Sequence, residues 1–310
     1  MLKKIITFTL AALMLLSAAT AFGCAKKADN TELTLYEGEY SEVTLVHYMV
    51  KYIVEEYTDL TVNIKDQMSL TNMFKEVSAE EPACDILLNY DGTLLGAWLQ
   101  KDVADVPADF TLYDYVKDNL KEQYGVDTLG LLGINNTYAI AVLPDTAEEY
   151  GLSKISDLTS VASELTFGAE SSFFAQEFTD RYWQFVEFYQ LNFASYSSID
   201  INLKYTAIAN DNFDVTEVYT TDGLNRKYDL VILEDDLGFF PEYNGVLVIR
   251  NGLFEDYAET APNLAEVLDM LTGSLTNDAM TNMTYAVDVE EREASDVARE
   301  YLVSQGLLTE

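Results

Sequence analysis

The stretch LLGINNTYAIAVLPD, residues 131–145, decides how the chain is organised. Thr137–Leu143 is a short apolar run closed by Pro144-Asp145, which reads as a buried strand ending at a turn. Asn135-Asn136-Thr137 carries turn chemistry, so Tyr138 stands where that strand begins. The same alternation continues outward on both sides. Upstream, Leu33–Tyr36, Leu60–Ile64 and Cys84–Tyr90 have strand character. Between them, Tyr40–Tyr57 repeats apolar residues at helical spacing through Val43, Val46, Val50, Ile53, Val54 and Tyr57. Ser69–Val77 and the polar, amphipathic Tyr113–Tyr124 are further helices. Downstream, Leu165–Ala169, Phe213–Tyr219, Leu230–Glu234 and Val246–Arg250 are strand candidates. Asp296–Gln305 ends the chain as a helix with Val297, Ala298, Tyr301 and Leu302 on one face. Strands alternating with helices predict an α/β fold with mainly parallel sheets. The length of 310 residues suits about two domains. Without an internal repeat or a long linker, two domains must be intimately connected.

Composition narrows the function classes. The chain is 49% hydrophobic and has 18 Lys plus Arg against 53 Asp plus Glu, a net charge of −35. It therefore has material for sizeable cores, and its surface repels phosphate backbones, so nucleic acid is not an expected partner. A cationic or zwitterionic ligand is compatible with that surface, and so is simple solvation. One histidine, His47, and two cysteines, Cys24 and Cys84, exclude most histidine-based catalysis, Cys/His zinc sites and a disulfide framework. Cys84, beside Ala83, Ile86 and Leu87, reads as a buried structural thiol. His47 reads as a surface or internally satisfied histidine.

Residues 1–24, MLKKIITFTLAALMLLSAATAFGC, are an address. Lys3 and Lys4 form a positive start, and Ile5 to Leu16 an apolar run too short to span a bilayer comfortably. Gly23-Cys24 after small residues resembles a bacterial lipoprotein signal, in which the cysteine becomes the lipidated first residue. Cleavage after Ala19-Thr20-Ala21 is the competing reading and gives a secreted protein. The expectation is a signal over 1–23, lipid on Cys24, a short tether over 24–30, and an extracytoplasmic protein held at the membrane.

No GxGxxG, Walker A, HExxH or GxSxG motif occurs. Clusters such as Glu234-Asp235-Asp236 are expected by chance among 53 carboxylates, and Asp211-Asn212-Phe213-Asp214 lacks the glycine and distal glutamate of a calcium loop. No cofactor or metal is expected. The aromatic residues are more informative. Phe173, Phe174, Phe178, Tyr182, Trp183, Phe185, Phe188 and Tyr189 crowd one stretch and suit packing. Tyr90, Tyr138 and Tyr219 instead stand where strands meet turns, and strand ends of open α/β sheets are where ligands bind. A trimethylammonium group donates no hydrogen bond, so tyrosine faces are what could hold it. From spacing alone, half-buried tyrosines with wetted hydroxyls are the better explanation.

Several segments, in order, resemble the osmoprotectant ABC-transporter substrate-binding proteins, which bind glycine betaine, choline or carnitine. Residues 131–142 look like that family's GxNNTYAxxV segment. Tyr205-Thr206-Ala207-Ile208, the run from Phe213 to Gly223, and Leu230 to Asp236 leading into Phe239-Phe240-Pro241-Glu242-Tyr243 are similar to later hallmarks. Tyr285-Ala286-Val287-Asp288 and Val297 to Leu302 match its C-terminal end, and Cys84-Asp85-Ile86 with Tyr90-Asp91-Gly92-Thr93 match more loosely. The resemblance implies a two-lobe, periplasmic-binding-protein-like type II fold with ligand in the interlobe cleft. Lobe one would be 31–136 plus 237–310, and lobe two 137–236. It also implies a monomer that delivers its ligand to a membrane permease by closing about Asn136–Tyr138 and Glu234–Asp236. Its ligand tyrosines fall on Tyr90, Tyr138, Tyr205 and Tyr219, with Thr93 nearby. The first strand departs from the pattern, with Tyr36-Glu37-Gly38-Glu39-Tyr40 where a polar ligand contact is usual. Glu37 and Glu39 tilt the expectation slightly towards choline-like ligands. A different amine, amino acid or polyol on the same scaffold, or a carboxylate-dependent hydrolase, are the alternatives.

Overall fold

A computed structural model describes residues 31–175, 180–200 and 203–309. The signal, the tether, Cys24 and Phe178 lie outside the described residues. Among the described residues ten strands form three sheets. β1 (Glu32–Tyr36) and β2 (Thr61–Lys65) pair in parallel, joined by the helix Ser41–Tyr57. β3 (Ile86–Tyr90), β4 (Asp127–Asn135) and β10 (Asn244–Ile249) form the second sheet, with β10 central and antiparallel to both neighbours. The third has the order β7-β6-β8-β5-β9: Ser195–Ile199, Thr166–Glu170, Val215–Tyr219, Tyr138–Val142 and Val231–Leu233. Here β6 is parallel to β7 and β8, whereas β5 is antiparallel to β8 and β9.

The sheets are thus mixed, not mainly parallel. The reason is the chain's path. It leaves β4 and enters β5 after only two residues, with no helix between to reverse its direction, and it returns through β10 between β3 and β4. Among the described residues, beside two smaller clusters around Val218 and around Ile208 and Phe213, two large apolar cores result, one in each of two α/β lobes. One gathers residues from 33–134 and 246–308, including Val43, Val46, Val50, Ile53 and Val54 of the first helix. The other is built around Ile140, Val142, Phe167, Phe173, Phe185 and Val215. Tyr57, expected on the apolar face, is 40% exposed because it ends the helix and donates to the Leu307 carbonyl.

The two passages between lobes are bonded side by side. The Asn136 N–H donates to the Tyr243 carbonyl at 3.0 Å, the Tyr243 N–H to Asn135 Oδ1 at 2.8 Å, and the Thr137 hydroxyl to the Pro241 carbonyl at 2.7 Å. Lobe two also meets the lobe-one helix Asn277–Asp288. Thr284 Oγ1 donates to the Thr221 carbonyl, and a Cβ on Gly223 would lie 2.3 Å from the Tyr285 nitrogen. Only glycine permits that approach.

Cys84 is buried, and its thiol is pushed up to about 12 by loss of water. His47 is fully buried and satisfied. Its Nε2 accepts from the Leu88 N–H at 2.8 Å, so Nδ1 carries the proton and donates to the Tyr36 carbonyl at 2.6 Å. Burial lowers the imidazole from 6.5 to about 4. The neutral ring favours folding fully above pH 6.5, and that contribution is lost as pH falls towards 4, where only the unfolded chain is protonated. Chemical denaturation across this window should show a loss of about 3 kcal/mol from this group. In His47→Gln that part of the pH dependence should vanish.

Candidate ligand-binding site

The lobe-two wall follows from strand register. β5 begins at Tyr138 and antiparallel β8 ends at Tyr219, so the two are directly opposed on one face at one end of the sheet. Their ring centroids are 5.1 Å apart at 41°. Tyr138 also meets Phe173, Phe240 and, edge-on, Tyr243 at 6.4 Å. The Arg181 guanidinium lies 4.3 Å from the centre of the Tyr138 ring. Arg181 is ion-paired with Asp180, which accepts the Tyr243 hydroxyl at 3.0 Å. Burial raises the Tyr138 hydroxyl to about 12, with Arg181 pulling the other way.

Behind Tyr219 lies a buried ionic group. Lys204 has no exposed surface, and its Nζ is 2.6 Å from Glu217 and 3.4 Å from Glu170. Glu170 also accepts the Tyr219 hydroxyl at 3.0 Å. Glu217 points to the same face as Tyr219, two residues before it on β8, and burial pushes its carboxyl up to about 7 against the pull of Lys204.

The lobe-one wall is built at the end of β3. The Tyr90 hydroxyl donates to Glu42 Oε1 at 2.5 Å, and Asn136 Nδ2 reaches the same oxygen at 3.4 Å. Glu42 stands in the first turn of the helix Ser41–Tyr57, where the positive helix end favours a carboxylate. Even so, burial raises its carboxyl, and Glu42 Oε2 is buried without a partner. Thr93 is half-buried in the helical turn that follows β3. Asp91 holds that turn to β10 by accepting the Asn244 backbone and side-chain N–H groups, so it serves the frame.

Tyr138 and Tyr219 therefore stand together, and Tyr90 is joined to the same region through Glu42 and Asn136. Tyr205 stands apart. It stacks on Tyr228 at 12° and packs with Ala139, Ala141 and Val218, the residues facing the opposite side of the sheet. Its hydroxyl donates to Asp222 at 2.7 Å, and no ring contact joins it to Tyr90, Tyr138 or Tyr219. Lys204 lies over both the Tyr205 ring and that of Tyr219, and Asp222, which accepts the Tyr205 hydroxyl, donates its backbone N–H to the Tyr219 carbonyl. Glu37 is taken up by the Tyr48 hydroxyl at 3.4 Å, while Lys65 lies over the Tyr36 ring, so the acid beside Tyr90 is Glu42.

Sequence reasoning missed Glu42, Glu170, Arg181, Lys204, Glu217 and Tyr243. One signal was available. A glutamate two residues before a candidate tyrosine on an apolar strand must share its face. A separate hollow of about 370 Å³ near Val77, Pro82 and Tyr124 shares no residue with these walls, and its Arg250 is paired with Asp85 and Asp256. Among the described residues no group of three or more His, Cys, Asp or Glu side chains could hold a metal ion, and no helix is long and apolar enough to cross a membrane.

The family described as the substrate binding domain of ABC-type glycine betaine transport systems matches residues 31–304. The chain is similar to the ergothioneine transport permease/ergothioneine binding protein EgtU of Helicobacter pylori, 31% identical over 225 residues. That alignment covers 72% of this chain and 38% of the Helicobacter protein, so the chain spans well under half of that relative's length. It is also similar to the carnitine transport binding protein OpuCC of Listeria monocytogenes, 29% identical over 84% of this chain and 83% of that one. A solved structure of a glycine betaine/carnitine/choline ABC transporter protein superposes with a TM-score of 0.78 and 25% identity, covering 89% of this chain and 98% of its own.

The geometry makes one demand on stability. Tyr90→Phe leaves the buried Glu42 carboxyl without its closest donor. It should lower unfolding free energy by about 1–3 kcal/mol, read by denaturant titration at pH 7. An unchanged midpoint would show that water takes over the lost donor.

Proposed function

As this chain belongs to the family of substrate binding domains of ABC-type glycine betaine transport systems, we propose that it captures a methylated-ammonium zwitterion between its lobes and hands it to a membrane permease. It is a binding protein and not an enzyme, so the hydrolase alternative falls. The observation that carries the ligand class is the pairing of Tyr138 with Tyr219 beside a guanidinium 4.3 Å from the Tyr138 ring. Ring faces suit a trimethylammonium head, at about 0.5–2 kcal/mol per favourable ring. The guanidinium fork has five donors, so a ligand carboxylate can join Asp180 on Arg181. The Glu42 carboxyl stands on the lobe-one side of the head, and Glu170 is taken up by Lys204 and the Tyr219 hydroxyl. Tyr90 and Thr93 supply the lobe-one side, and Tyr205 supports the wall from behind.

Arg181 reverses the slight tilt towards choline. Glycine betaine, carnitine and ergothioneine, for which the relatives are named, all join a quaternary ammonium group to a carboxylate. Contacts from both lobes give the ligand a higher affinity for a closed form, which is what closure about the two crossing passages requires. Lipid on Cys24 would hold this receptor outside the membrane beside its permease, with a second acyl chain making the anchor stable.

Two measurements test the reading. In calorimetric titration the protein should bind at least one of glycine betaine, carnitine and ergothioneine. Tyr138→Ala should weaken that binding by about tenfold or more. Arg181→Met should weaken the zwitterions more than choline. No binding of any of the four overturns the ligand class. For the anchor, Cys24→Ser should release the protein from membranes or leave the precursor uncleaved. Correct cleavage with full membrane retention would exclude lipidation.

A further inference from the structure

We propose that Lys204 is a specificity-determining residue of this site: its ammonium is a resident cation seated between the rings of Tyr205 and Tyr219, and it closes that seat to ligands whose only charge is positive. The inference rests on the ligand class proposed above and adds which members of the class are refused.

The geometry is that of an occupied cation site. Lys204 Nζ lies 5.1 Å from the centre of the Tyr219 ring and 5.4 Å from that of Tyr205. Both distances are within the range at which a ring face attracts a cation. The lysine is fully buried, so its charge is not spent on water, and Glu217 and Glu170 hold it in place. A buried lysine needs such partners to offset its lost hydration. It begins the short helix Lys204–Ile208 that also carries Tyr205, so one element delivers both the cation and one of the rings around it. The second ring, Tyr219, has Tyr138 as its other aromatic neighbour. An arriving quaternary ammonium group on that pair would find, behind Tyr219, the Lys204 ammonium already taking up the Glu217 and Glu170 carboxyls that would otherwise attract it. These groups are buried, so their mutual neutralisation is little altered by salt. A zwitterion has a second attraction, its own carboxylate on Arg181, and choline has none to replace the one Lys204 takes up. Tyr205 on this account serves Lys204 and not the ligand, which explains why its ring stands apart.

The decisive variant is Lys204→Ala combined with Glu217→Gln, which removes the buried ammonium with its nearest carboxyl and leaves a ring-lined space. Calorimetric titration with tetramethylammonium, choline and glycine betaine reads it. Tetramethylammonium and choline should gain at least about tenfold in affinity relative to wild type, while glycine betaine changes less than about threefold. An unchanged choline-to-betaine ratio together with no gain for tetramethylammonium overturns the proposal, because a merely structural ion pair would not move that ratio. If the double variant does not fold by circular dichroism, Lys204→Met alone decides, read by the same choline-to-betaine affinity ratio. A rise of about fivefold or more supports the proposal, and a smaller change overturns it. If the wild-type protein binds none of the three probes, carnitine and ergothioneine are titrated in place of glycine betaine, and the ligand class fails only if neither binds. A gain of tetramethylammonium binding in the double variant then still supports the seat, and its absence overturns it.

Discussion

Everything in this molecule hangs on one short turn, Asn135-Asn136-Thr137. Asn135 bonds through its backbone and side chain to Asn277 and Tyr243, and its carbonyl also accepts the Thr220 hydroxyl. Asn136 and Thr137 tie the outgoing passage to the returning one. A single neutral hydrogen bond contributes only about 1 kcal/mol. Here several converge on three residues, and they join both passages, the helix Asn277–Asp288 and the end of β8. Asparagine suits the position because its amide donates and accepts at once. The turn fixes where β5 begins, and so fixes Tyr138 against Tyr219.

The second constraint is electrostatic. A chain with a net charge of −35 has little positive charge to place, yet Lys204 and Arg181 are both brought against the tyrosines that line the lobe-two wall. Each is paired with acids of its own lobe, Glu217 and Glu170 in one case and Asp180 in the other. Such pairs are poor stabilisers, since the cost of desolvation consumes most of the attraction. Their position at the ring faces is easier to understand as selection among ligands than as support for the fold. For the ligand class proposed above, the acidic surface would favour a positive head and the two internal cations a carboxylate joined to it.

Much of this was legible without coordinates. The 3.6-residue spacing of Val43, Val46, Val50 and Val54 located the first helix, because burying one face imposes that period wherever the helix lies. The strand ends at Tyr90, Tyr138 and Tyr219 were legible because turn residues punctuate the chain locally. Strand direction was not, since alternation of strands and helices says nothing about which end of a sheet the chain enters, and β5 and β10 enter from the opposite end. The partners of the tyrosines were equally hidden. Glu42 is 48 residues from Tyr90, and Glu170 is 49 from Tyr219. Nothing local distinguishes those two glutamates from the other acids of the chain. The placing of Tyr90, Tyr138 and Tyr219 at strand ends was thus determined by short-range rules of period and turn. Which charges stand against them, and that Tyr205 faces away from its companions, was decided by long-range packing, because only the assembled sheet brings β5, β6, β8 and the helix at Lys204 to one place.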